Sequence, residues 1–126
     1  MGYRTDRSRA EGLGAANDGV HHWWEQRISA VALLFLTPPF VTAFAVNLGE
    51  GHESVLASYA HPFNAIVAIG FFIAVFLHLY QGLQVVIEDY VDNKRWEAVL
   101  IVAARLLCAL FALIGIFAVV TIALGG

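Results

Sequence analysis

Charge is scarce in this chain, and its distribution says more than its amount. Of 126 residues only 13% are charged. Two long runs, Ile28 to Val46 and Ala65 to Ile87, carry no formal charge, and a third, Ala98 to Leu124, carries only Arg105. Cysteine is reduced to Cys108 alone. One thiol excludes an internal disulfide, and it excludes an iron–sulfur cluster held by the usual four cysteines of one chain. Cys108 therefore reads as a small packing residue. There is no internal repeat and no low-complexity tract, and the connection Asn47 to Asn64 is too short for a flavin or nucleotide domain. Chemistry performed here must lie in the apolar runs or be delivered by another subunit.

What the chain does have is apolar surface: 60% of its residues are hydrophobic, with a mean hydropathy of +0.72. A soluble domain of this size cannot hide so much of it, so lipid must cover the rest. Each run is close to or above the roughly 20 helical residues that cross about 30 Å of hydrocarbon. Without water to satisfy the backbone, a spanning segment is either a helix or a strand of a closed barrel. Barrel strands alternate polar with apolar residues, and these runs do not. The expected fold is an all-α integral membrane protein of three transmembrane helices. Its segments are an N-terminal stretch 1–27, helices at 28–46, 65–87 and 98–124, an outer loop 47–64 and an inner loop 88–97. The mostly polar N-terminal stretch does not read as a cleavable signal, because the first apolar run is too long for an h-region.

Basic residues set the expected orientation. Arg4, Arg7, Arg9 and Arg27 precede the first run, and Lys94 and Arg95 lie between the second and third. The first loop has no Lys or Arg and carries Glu50 and Glu53. This puts the N-terminus and second loop in the cytoplasm. Trp23, Trp24 and Trp96 fall on the same side, where indoles favour the membrane interface. Asp6, Glu11 and Asp18 argue against an organellar transit peptide, which is poor in acids. A bacterial inner membrane is the expected location. Nothing points to a nucleic-acid partner.

The second run holds the most informative side chain. His78 stands thirteen positions after Ala65 and nine before Ile87, very roughly 19 Å and 14 Å from the two ends. An intramembrane histidine is costly unless paired, so it is a functional candidate by default. At 100° per residue Gln81, Gln84, Glu88 and Asp89 share an arc with His78, with Asp89 about 20° away. Gly82, about 40° away, leaves room for a flat ligand. Three readings stay open: a hydrogen bond to a neighbouring helix, a proton relay, and haem ligation by a neutral imidazole. His21, His22, His52 and His61 all lie outside the apolar runs, so a second axial histidine would have to come from a partner. Asp89 and Tyr90 fall where the second helix meets the cytoplasm. A phenol there can donate to a quinone carbonyl, or simply belong to the aromatic belt. Arg27 suits haem propionates or an ordinary positive-inside charge. Arg105 can snorkel to the interface. Pro38 and Pro39 should kink the first helix and free carbonyls, so a transporter subunit and a cofactor-free anchor are the competing classes.

The pattern resembles the hydrophobic membrane anchor (SdhD-type) family of succinate dehydrogenase, in its bacterial, alphaproteobacterial-like form. Gly19-Val20-His21 followed by Arg27-Ile28-Ser29-Ala30 is similar to that family's entry to the first helix. His78 followed eleven residues later by Asp89-Tyr90-Val91 is similar to its second-helix signature. The third helix carries no matching motif. The resemblance implies a subunit of respiratory complex II that is no enzyme alone. It implies that His78 is an axial ligand of haem b, with the second histidine on the SdhC-type cytochrome b anchor subunit. Arg27 would lie near the propionates, and Tyr90, with Asp89 beside it, would hydrogen-bond ubiquinone. The two anchors would pack into a larger helix bundle and hold the flavoprotein and iron–sulfur subunits.

Overall fold

A computed structural model describes residues 16–125, with side chains from Val20 onward. Arg4, Arg7 and Arg9, Asp6 and Glu11 lie outside the described residues, as does the side chain of Asp18. Four helices follow one another: α1 at Ala16–Ala45, α2 at His52–Ala60, α3 at Pro62–Tyr90 and α4 at Lys94–Ala123. No strand occurs among the described residues. Three of the helices, α1 from Val20, α3 and α4, are long and apolar enough to cross a membrane. The chain is a multi-pass membrane protein.

The helices outrun the apolar segments that announce them, and the ends explain why. α1 begins at Ala16, twelve positions before Ile28. Its polar first turns are tied by ordinary helical spacing, with His21 Nε2 2.9 Å from Glu25 Oε1 one turn on. α1 then continues through Pro38 and Pro39. Neither proline has an N–H, so the carbonyls of Leu34 and Phe35 lose their helical donors. Thr42 Oγ1 donates to the Pro38 carbonyl at 2.8 Å just beyond. Gly49, at φ 86°, takes the left-handed turn that ends the segment.

His61 closes α2 and opens α3 at once. Its backbone N–H donates to Ser58 O, and its ring Nδ1 accepts from Phe63 N at 3.3 Å. Pro62 at the first helical position is preset for a helix start. α3 passes to α4 through only Val91, Asp92 and Asn93. The Asn93 side chain accepts from Arg95 N and Trp96 N at 3.0 and 3.4 Å, capping α4.

α3 is the centre of the bundle: α1 and α4 each pack along it, with no extensive contact between those two. The side chains that reach the interior are small. Ala43, Ala65, Ala68, Ala74 and Cys108 are buried, and Ala68 is fully so. Large side chains point outward instead, with Leu34, Phe35 and Phe117 about 70% exposed. A water-soluble core would show the reverse. Small residues at the contacts and bulky ones outside are what lipid favours, since backbones must approach closely to gain packing energy. At the end of the bundle near α2, Phe40 stacks on Phe71 at 4.0 Å between ring centres, and Phe72 meets Phe40 edge-on at 6.0 Å. Phe40 and Phe72, with Tyr59 and Ile69, lie against Ala65, Ala68 and Val119.

Candidate functional site

The other end of the bundle is held together differently. Ser29 on α1 is buried and faces α3. Its Oγ lies 3.0 Å from His78 Nδ1 and 3.0 Å from Gln81 Oε1. It also lies 2.9 Å from the carbonyl of Gln26, one turn back on α1. His78 and Gln81 are three residues apart on α3, so both reach the same neighbour. Gln81, at 6% exposure, is itself buried. His78 is half-buried, so its ring also reaches the surface of the chain. Beside it Gly82 faces open space: a Cβ built there meets nothing within 4 Å.

A groove of about 830 Å³ runs along α3 between α1 and α4. Ser29 and Gln81 lie in its floor, Ala74 and Leu77 continue it, and Glu25 and Arg105 are at its edges. The Arg105 guanidinium lies over the Tyr80 ring, 5.7 Å from its centre, and no carboxylate pairs with it among the described residues. Cys108 lines the same groove as a buried free thiol.

The residues singled out in the sequence do not all converge. His78 is joined by Gln81 through Ser29. Gln84 turns instead to Glu88, Nε2 donating to Oε1 at 2.7 Å. Asp89 and Tyr90 sit in the last turn of α3, about 18 Å along the axis from His78. Both are exposed, Tyr90 by 83%. Arg27 stands two positions before Ser29, which is about 200° around the helix. Its guanidinium lies over Trp23 at 5.1 Å, away from His78. No group of three or more His, Cys, Asp or Glu side chains gathers among the described residues. The participant that sequence reasoning passed over is Ser29, which contributed only to the look of the first helix. Its partners are 49 and 52 residues away, and only the packing of α1 on α3 reveals them.

Such an arrangement can hold one face of an imidazole while leaving the rest of the ring to something outside the chain. The comparisons with known proteins agree on a family. The profile of the succinate dehydrogenase/fumarate reductase transmembrane subunit family matches residues 1–123. A succinate dehydrogenase hydrophobic membrane anchor subunit of Paracoccus denitrificans is 39% identical over 101 residues, covering 80% of this chain and 78% of that protein. Proteins of the same description from Rickettsia felis and Rickettsia bellii are 33% and 30% identical. They cover 79% and 82% of this chain and 83% of each relative. No solved structure matches.

Proposed function

The chain belongs to the succinate dehydrogenase/fumarate reductase transmembrane subunit family, and from that membership we propose a specific division of labour within the complex. It anchors the flavoprotein and iron–sulfur subunits to the inner membrane of a bacterium, and it shares a haem b and a ubiquinone site with a cytochrome b anchor. The N-terminus and the α3–α4 connection face the cytoplasm. Arg27, Lys94 and Arg95 lie on that side, and no Lys or Arg lies between α1 and α3.

The observation that carries the haem assignment is the setting of His78. It is an imidazole within a membrane span, half-buried, with one ring nitrogen engaged inside the chain and open space beside it at Gly82. A flat macrocycle fits against a surface lacking a side chain there. The remaining histidines, His21, His22, His52 and His61, lie towards the helix ends or in the first connection, so His78 would hold the group from this chain and a second histidine would come from the partner anchor. Haem b supplies a one-electron centre when bound. The chain's own part is to orient the ring and to exclude water. Arg27 would swing from Trp23 to the propionates.

At the cytoplasmic end of α3 the exposed Tyr90 hydroxyl donates to a ubiquinone carbonyl, with Asp89 next to it as a proton source. Succinate oxidation itself belongs to the other subunits. The test is a reduced-minus-oxidised difference spectrum of membranes holding the whole complex. With His78→Leu the b-type band disappears; a band of unchanged intensity would remove His78 from the assignment.

A further inference from the structure

The contact between α1 and α3 contains more information than its distances. Ser29 Oγ has three neighbours, Gln26 O at 2.9 Å, Gln81 Oε1 at 3.0 Å and His78 Nδ1 at 3.0 Å, but a hydroxyl has one proton. The Gln26 carbonyl can only accept. Gln81 Oε1 can only accept as well. The one serine proton is therefore taken by oxygen, and a hydrogen bond to His78 requires the ring to donate. If the Gln81 amide is turned so that its nitrogen faces Ser29, it donates to Oγ. The proton of Ser29 then goes to Gln26 O or to His78 Nδ1, and where Gln26 O takes it the requirement on His78 is the same. With the serine proton on either oxygen, the neutral ring carries hydrogen on Nδ1 and a lone pair on Nε2. Every buried side-chain nitrogen and oxygen among the described residues has a hydrogen-bond partner.

We infer that Ser29 is a positioning residue for His78: its hydroxyl oxygen accepts the Nδ1–H and presents Nε2, deprotonated, as the metal-binding nitrogen. This rests on the reading of His78 as an iron ligand and adds the residue that makes it one. Gln26 and Gln81 keep Oγ turned toward the ring, and burial of Ser29 at 7% exposure keeps water from replacing it. An acceptor on the far ring nitrogen also makes the ligating one more basic. That favours ferric iron and lowers the potential of the centre. A serine serving only to glue α1 to α3 would do neither.

The experiment compares whole complexes carrying Ser29→Ala, Ser29→Thr and His78→Leu. Haem retention is measured by competition with a haem-scavenging apoprotein, the midpoint potential by optical titration, and the low-spin ferric signal by electron paramagnetic resonance. Ser29→Ala should assemble with haem yet lose it roughly tenfold to a hundredfold more readily, with a raised potential and altered g-values. Ser29→Thr keeps the hydroxyl and should stay close to the native protein in all three. If the alanine variant matches the native potential and retention while His78→Leu has no haem, the role of Ser29 is overturned and His78 stands. If the threonine variant shifts as far as the alanine one, the hydroxyl is not the agent and the inference fails. If His78→Leu retains a native spectrum, the ligand assignment and the inference fall together.

Discussion

The two ends of the same three-helix bundle are built on different principles. Near α2 the helices meet through Ala65, Ala68, Val119 and the rings of Phe40, Phe71 and Phe72, with hardly a polar atom among them. Near the basic end they meet through Ser29, His78 and Gln81, and they open into a groove edged by Glu25 and Arg105. Lipid tails are as apolar as leucine, so the first end can gain only from close fit. The second end gives up fit in exchange for direction, since a hydrogen bond aims a ring as dispersion cannot. The difference separates a half held by close fit from a half held by directed polar contacts.

Four substitutions would break or sharpen that contrast. Ala68→Leu forces a larger side chain into a fully buried position and should destabilise by about 1–3 kcal/mol, seen as an earlier thermal unfolding of the complex in detergent. Tyr90→Phe touches an 83% exposed residue, so unfolding should not change. Loss of the hydrogen bond proposed to the quinone, worth about 1 kcal/mol, should slow quinone reduction by roughly five- to tenfold, with electron transfer from succinate to an artificial acceptor intact. Equal loss of both activities would assign Tyr90 to assembly instead. Gln81→Leu removes one polar contact between helices and should cost about 0.6 kcal/mol in the same unfolding assay. A cost above that of Ala68→Leu would invert the comparison. Gly115→Ala is the smallest. The new Cβ meets Phe72 Cδ1 at 2.9 Å, and moving that ring costs about 1 kcal/mol. The helix gains about 0.5–1 kcal/mol from losing a glycine, so the net change should stay within about 0.5 kcal/mol.

The spans were legible because each is announced by its own residues: an apolar run needs no knowledge of its neighbours. His78 was legible for the same reason, as a polar ring in a stretch that should have none. Helix α2 was not, because His52-Glu53-Ser54 followed by Val55 and Leu56 is too short to display a period. The helices α1, α3 and α4 each run past their apolar segments, because polar turns extend a helix without extending its apolar signature. Asp89, about 20° from His78 by helical angle, stays far from it along the axis, since a shared arc says nothing of separation. Ser29 was hidden most completely. A serine is ordinary at the start of a span, and its importance lies in the rotation of α1 against α3, which no local pattern encodes.

Since α1 and α4 both lean on α3 and barely on one another, the molecule has a spine with two independent flanks. The α3–α4 hairpin, joined by three residues, can form whether or not α1 has arrived. Ser29 comes from the other flank. The imidazole is thus carried by the α3–α4 pair yet meets the Ser29 hydroxyl only when the N-terminal helix docks, so a centre held there would be sensitive to whether the whole chain has finished assembling.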